Sequence, residues 1–276
     1  MRKHKKIKQI IIYCFAIFVF VYVMFPLYTV LLTSVQYDRD MRTRDIAFIP
    51  NYVTFDHFKS VLEPGHIVSV REATLTSLFV SVSAGFFSCL VAVFASFALS
   101  RSRLKYGHII LYALVSIYIL PVVLFLLPLF VLVVRLGLQD RLFVIILLYT
   151  AFILPFIIWV LKAFVEAIPV QVEYAALVDG CNFIQIFYKI YLPLIKPGIV
   201  AGFLVVFILS WIEFMTPLIF TNRIKMLTVE LGLYRTTTDI NIGEMAAAAI
   251  IAMIPVIIVT TLFSRNITQV LMGHEK

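Results

Sequence analysis

Six long apolar stretches, near residues 9–33, 73–99, 106–134, 142–166, 197–220 and 245–268, alternate with more polar connections. Each reaches the roughly 20 residues that cross a hydrocarbon layer of ~30 Å. Backbone groups in lipid must bond within their own segment, so each stretch is expected to be a helix. One connection differs from the rest. Val172 to Pro197 is interrupted by polar residues yet carries Tyr174, Leu177, Val178, Phe183, Ile184 and Phe187, too many apolar side chains for a solvated loop. Val172–Val178 favours helix, Gly180 permits a bend, and Asn182–Tyr191 offers a second helix that Pro193 and Pro197 are expected to stop. Such a helix, bend and helix either folds onto the chain's own spans or fills a groove on a partner, and the groove is the sharper reading.

The spans differ in what they carry. In the second, Ala84, Ser88, Ala92, Ser96 and Ser100 recur every four residues beside Ser77, Ser81, Gly85 and Cys89. A small-residue stripe of this kind lets helices approach closely in lipid, so this helix is expected inside the bundle. Pro121 and Pro128 each remove a helix hydrogen bond and are expected to kink the third span. In the fifth, Glu213 stands between Trp211 and Phe214 as the only charged side chain well inside a span. That placement costs about 2–4 kcal/mol unless the carboxylate is paired or wetted, so it should face the bundle interior. Lys162 and Glu166, four apart at the end of the fourth span, read as a surface pair.

Composition and charge then narrow the class. With 62% hydrophobic residues, 25 Phe and a mean hydropathy of +1.04, the 276 residues do not describe a water-soluble domain. The net charge of +8 is placed in a way that argues against nucleic acid. Arg2, Lys3, Lys5, Lys6 and Lys8 precede the first span, Arg101, Arg103 and Lys105 separate the second from the third, and no acid joins either group. By the positive-inside rule both termini and the 172–197 loop are cytoplasmic, while 34–72, 135–141 and 221–244 face out. The basic tail also suits contact with lipid headgroups. The first span is longer than a signal-peptide core and ends on no small-x-small site, so it is expected to be retained. The outer segment 34–72, punctuated by Pro50 and Pro64-Gly65, holds a short amphipathic piece from Phe55 to Leu62 and is long enough to form an outer cap. Cys14, Cys89 and Cys181 lack metal spacing, and the five histidines lie in tails, loops or span edges. No Gly-Lys pair is present, hence no phosphate-cradling loop.

The spacing Ala175-Ala176-x-x-Asp179-Gly180, then nine residues, then Ile190-x-Leu192-Pro193 with Pro197 four further on, resembles the EAA loop of ABC-importer permeases. In that family the loop is a cytoplasmic coupling helix that docks into a cleft of the ATP-hydrolysing subunit. The resemblance implies coupling roles for Glu173, Tyr174, Ala175, Ala176, Leu177, Asp179, Gly180, Phe183 and Phe187. The family's eponymous glutamate falls at Tyr174, with Glu173 one residue earlier and therefore about 100° around a helix. Trp211-Ile212-Glu213-Phe214 resembles the Trp-Asn-Glu-Phe motif of sugar permeases, without the amide. Pro121 and Pro128 followed by Leu136-Gly137-Leu138, Leu154-Pro155-Phe156, Ile168-Pro169, and Thr228 with Leu231-Gly232-Leu233 are similar to other stretches of the same branch. On this resemblance Trp211, Glu213, Phe214, Pro121 and Pro128 are candidates for the translocation pathway.

The implied fold is all-α, a polytopic membrane protein with six transmembrane helices in the type I ABC-importer permease arrangement. Its implied parts are a basic tail 1–8, a permease domain 9–271, the coupling loop 167–196 within it, and a tail 272–276, in a bacterial or archaeal plasma membrane. The implied partners are two ATP-binding subunits, a second, related but different permease chain, and an extracellular or periplasmic solute-binding protein. ATP and Mg would sit on the partner ATPase, with no cofactor on this chain. The implied activity is carbohydrate import, of a di- or oligosaccharide, by alternating access; a glycerol phosphodiester or polyamine importer is the alternative within the family. An ion-coupled secondary transporter would require several intramembrane ionisable groups and inverted repeats, and the chain shows one carboxylate and no convincing repeat. An intramembrane enzyme would require a convergent catalytic constellation, and none is visible.

Overall fold

The computed structural model describes residues 2–41, 48–50, 52–63, 68–101, 106–234 and 242–272, and the regular structure of these is helical. In order they are α1 (Arg2–Val35), α2 (Asp38–Met41), α3 (Asp56–Leu62), α4 (Val70–Arg101), α5 (Gly107–Ile119), α6 (Val123–Arg135), α7 (Leu142–Glu166), α8 (Val170–Val178) and α9 (Phe183–Ile186). A π-helical turn (Phe187–Tyr191) leads into α10 (Leu192–Ile212), followed by α11 (Met215–Phe220), α12 (Leu227–Leu233) and α13 (Ile242–Met272). Of the sequence expectations, Pro64-Gly65, Arg103, Lys105 and the end of the tail from Gly273 lie outside the described residues. Among the described residues five helices are long and apolar enough to cross a membrane, and α5 with α6 make a sixth span if counted together. The chain divides into two compact units, one of residues to Arg71 with Glu230–Ile254, the other of Glu72–Val229 with the residues from Pro255.

In the first unit α1 leaves its apolar side chains exposed along the membrane-length stretch, as a helix surrounded by lipid or by another subunit can. Beyond it α3 is the amphipathic piece expected within 55–62, with His57 and Val61 buried. The His57 Nε2 lies 2.9 Å from the Gln36 carbonyl, and Ser60 donates to Glu244 at 2.6 Å, so α3 is tied to the end of α1 and the start of α13.

The second unit is built on α7, flanked by α5 and α10. Tyr149, Ile157, Leu161, Ile195 and Phe207 are fully buried along these helices. The small-residue stripe of α4 lies inside, as expected, with Ala84, Ser88, Ala92 and Ser96 at 0% exposure. Close approach is literal here. A Cβ on Gly85 would sit 2.8 Å from the Phe203 ring, and one on Gly198 would sit 2.7 Å from Cγ of Phe164, so α10 is clasped between α4 and α7 by glycines.

Three expectations need correction. The third span is not one kinked helix: α5 and α6 meet at 91°. Leu120, before Pro121, is pushed into extended backbone (φ −67°, ψ 139°), as proline requires of its predecessor, whereas Pro128 is carried inside α6. The fifth span stops at Ile212, because Glu213 is extended (ψ 132°) and α11 starts anew at Met215. Finally, Pro193 and Pro197 do not stop the helix before them. The backbone runs helically from Phe183 to Ile212, with the Leu192 N–H reaching back five residues to the Phe187 carbonyl. The wider π turn shifts the hydrogen-bond register just ahead of Pro193, where proline supplies no donor.

Asp140 closes the connection after α6. At φ +53° it presents Oδ1 to the N–H groups of Asn222 (2.6 Å) and Arg223 (2.9 Å), joining 136–141 to 221–224. Partial desolvation, the largest single effect, pushes its pKa up, but the amides of Asn222, Arg223 and Ile224 and the Arg223 charge outweigh it and hold the carboxyl below its ordinary range.

Two outcomes test these contacts. Gly198→Ala gains about 1 kcal/mol of helix propensity but forces the base of the Phe164 ring aside, at about 1–3 kcal/mol, so thermal unfolding in detergent should move down, and further for Gly198→Val. Because the Asp140 pKa is lowered on folding, its contribution is present above the ordinary carboxylate range and lost as pH falls through the lowered value. The stability difference between the wild type and Asp140→Asn, read by the same unfolding assay, should therefore exist at neutral pH and vanish in acid.

Candidate functional site, the helical elbow and the break at Glu213

The elbow at 170–191 is set by local sequence. Pro169 precedes α8, where its missing N–H costs nothing. At the far end Gly180 takes φ +83°, its N–H reaches the Leu177 carbonyl at 3.1 Å, and the Cys181 N–H reaches that of Ala176 at 2.9 Å. This paired closure satisfies two terminal carbonyls and needs the left-handed residue that glycine supplies most readily. Asn182 then starts α9 with a reciprocal cap: its Oδ1 accepts from the Gln185 N–H at 2.8 Å, while its own N–H donates to Gln185 Oε1 at 2.9 Å. The elbow is thus rigid at both sides of the bend.

Its apolar residues divide between two directions. Tyr174, Leu177, Val178, Phe183 and Ile184 are exposed, Val178 at 87%. Ala176, Ile186, Phe187 and Tyr191 are buried against the chain itself. The receiving surface is α4, where Phe97 meets the rings of Phe183 (5.2 Å), Phe187 (4.9 Å) and Tyr191 (4.9 Å), and Phe94 stacks on Phe187 at 5.3 Å. Such pairs add about 0.5–1.5 kcal/mol each beyond the area they bury.

The charged residues of the elbow also part company. Asp179 is exposed at the C-cap of α8. Glu173 is turned inward, with its side chain 15% exposed, and its Oε2 accepts from the Tyr191 hydroxyl at 2.9 Å. Arg101, the last residue of α4, lies 3.8 Å from the same oxygen through Nε. The Arg101 guanidinium also donates to the carbonyls of Val165 (2.9 Å) and Ile168 (2.5 Å) at the end of α7, and it rests 5.2 Å from the Tyr191 ring centroid. Phe94, Phe97 and Arg101 were not distinguishable as partners of the elbow from sequence. Arg101 in particular reads there as one basic residue of a cluster.

Of the pathway candidates, Trp211 is buried and stacks on Phe207 at 5.8 Å. Glu213 fills the break between α10 and α11. Its carboxylate accepts from the N–H groups of Met215 (3.1 Å) and Thr216 (2.9 Å) and from the Tyr149 hydroxyl (3.4 Å), and its carbonyl accepts from the Thr228 hydroxyl (2.7 Å). Phe214 is partly exposed beside it. Pro128 lines a separate cavity of about 230 Å³ with Tyr118, Phe125, Ala151, Phe152 and Pro155, and Pro121, Trp211, Glu213 and Phe214 are not among its walls. Of the five pathway candidates, Pro128 alone lines this cavity. Among the described residues no group of three His, Cys, Asp or Glu could hold a metal ion.

Known proteins resemble this chain over nearly all its length. It is 30% identical over 253 residues to a diacetylchitobiose uptake system permease protein of Streptomyces coelicolor, covering 91% of each chain. It is 27% identical to a galactooligosaccharide transport system permease protein of Bacillus subtilis, covering 96% of this chain and 94% of the other. A chain from the crystal structure of a bacterial ABC transporter that imports the acidic polysaccharide alginate has the same fold, with a TM-score of 0.76 at 21% identity over 96% of this chain and 98% of that one. Residues 88–271, which hold the elbow and the Glu213 break, match the family described as the binding-protein-dependent transport system inner membrane component, and the chain belongs to that family.

Proposed function

We propose that this chain is a permease subunit of an ATP-driven importer of a di- or oligosaccharide. Two separate ATP-binding subunits would supply the energy, a second, related permease would complete the channel, and an external binding protein would deliver the solute. The observation that carries the reading is the elbow at 170–191: a capped, rigid bend that presents Tyr174, Leu177, Val178 and Ile184 outward while its other face is fixed to α4. An apolar ridge on a stiff support is what docking into a groove requires, because little is lost to ordering on binding. The solute class is supported by the relatives, which include permeases named for diacetylchitobiose, trehalose and galactooligosaccharides.

In this reading the chain sits in the plasma membrane with both termini and the elbow on the cytoplasmic side. ATP closes the partner subunits, the elbows follow, and the helices they are bolted to tilt so that the cavity opens outward; hydrolysis resets it. The step is conformational gating, in which a ligand shifts a balance between two states by its differential affinity for them. Glu213 serves this motion by fixing the break between α10 and α11, with its oxygens held by backbone donors and Tyr149 rather than offered to a solute. Purifying the complex through this chain, identifying the co-purified subunits and assaying ATP-dependent uptake of chito- and galacto-oligosaccharides tests the reading as a whole.

Two substitutions test its parts. Val178→Asp combined with Ile184→Asp should abolish co-purification of the ATP-binding subunits while leaving the thermal unfolding of the membrane bundle within about 0.5 kcal/mol, since both side chains are exposed. Glu213→Ala should cost about 0.5–2 kcal/mol through loss of the α11 cap and reduce the maximal uptake rate. The half-saturating solute concentration should stay unchanged, which separates a helix-fixing role from direct solute contact.

A further inference from the structure

We infer that Arg101 is a positioning residue for energy coupling, the receiver through which displacement of the elbow is passed to α4 and α7. This rests on the reading of 170–191 as the surface that docks an ATP-binding subunit, and it adds an internal connection that the reading does not contain. An arginine at the end of a helix ordinarily extends its guanidinium into water. Arg101 instead keeps its side chain at 9% exposure. Burying that charge is unfavourable unless its donors are met, and they are met unequally.

Two bonds, to the carbonyls of Val165 and Ile168, are short and fix the guanidinium to the end of α7. Those carbonyls belong to the last turn of α7 and the residues just after it, where orphan acceptors and the negative end of the helix dipole favour a cation. The position of Arg101 is therefore set by α4, which carries it, and by α7, which receives it. The third contact is of another kind. Nε lies 3.8 Å from Glu173 Oε2, beyond hydrogen-bonding range, and is a buried donor with no hydrogen-bond partner. Glu173 belongs to α8 and is itself aimed by the Tyr191 hydroxyl. A shift of α8 by under 1 Å toward Arg101 would turn this contact into a charge-assisted hydrogen bond, and a shift away would strand the donor. At Arg101 the slack lies on the side of the elbow, which is where a transmission must respond to its input. Glu173 thus acts inward, toward the chain's own helices, while the exposed ridge faces the partner.

The test uses the full complex reconstituted in proteoliposomes, in a background lacking Cys14, Cys89 and Cys181. One reporter is Val178→Cys, cross-linked to the ATP-binding subunit. A second is Phe152→Cys in the cavity wall, whose thiol labelling is compared without nucleotide and with ADP and vanadate trapped after hydrolysis. In the parental chain the cross-link forms and labelling changes with nucleotide. In Arg101→Met, Glu173→Gln and the mild Tyr191→Phe the cross-link and ATP hydrolysis should persist while the nucleotide-dependent change in labelling falls by about fivefold or more, the scale set by loss of one hydrogen bond. A Glu173→Gln, Tyr191→Phe double variant should be no worse than Glu173→Gln alone, because the hydroxyl acts through the carboxylate.

A full nucleotide response in the three single variants overturns the inference. So does a parallel loss of cross-link, hydrolysis and labelling change, which would make Arg101 a fold-stabilising residue only. Labelling that ignores nucleotide in the parental chain overturns it too, since nothing is then transmitted. Absence of the parental cross-link is the distinct result that would sink the docking reading itself.

Discussion

Helix ends leave backbone donors and acceptors without partners, and in or near lipid there is little water to take their place. Much of this structure can be understood as a set of answers to that constraint. The last carbonyls of α7 are answered by Arg101, the first N–H groups of α11 by Glu213, the C-terminus of α8 by the turn at Gly180, and the start of α9 by Asn182. At the loop after α6, Asp140 does the same for the amides at 222 and 223. Every one of these answers fixes one helix relative to another or fixes a bend, so satisfying the backbone and setting the geometry are the same act.

A carboxylate at membrane depth suggests a solute or ion site by default. Glu213 has a backbone task that accounts for its position, and its hydrogen bonds are made within the chain. Glu173 and Arg101 look in sequence like surface charges, yet both are largely withdrawn from water and share Tyr191. The exposed part of the elbow is mainly apolar. Polarity thus stabilises the joint from inside, and the outward ridge is left to nonpolar contact.

Much of the fold was legible in the sequence because hydropathy and small-residue spacing act locally: six apolar runs, the buried face of α4 and the helix, bend and helix about Gly180 all follow from neighbours within a few turns. The two broken spans were not. Pro121 and Pro128 look alike in sequence, and only the packing around them decides that the chain turns by 91° at the first and runs on through the second. The break at Glu213 is announced only indirectly, by Pro217 four residues on, whose ring a continuous helix would press against the Glu213 carbonyl. The π turn was invisible for a related reason, since Pro193 signals a missing donor but not which register shift will absorb it. Within the candidate site the outward residues Tyr174, Leu177 and Ile184 were readable as surplus hydrophobicity. Phe97 and Arg101 were not, because they come from a helix some seventy residues earlier and their role exists only once α4 lies against the elbow.

That separation in the chain bears on modularity. Because Phe94, Phe97 and Arg101 form the seat of the elbow, residues 170–191 are not a portable cassette. A graft of this segment into another permease would bring its ridge but leave behind the aromatic socket and the guanidinium that hold it. A working transplant would have to carry the end of α4 as well.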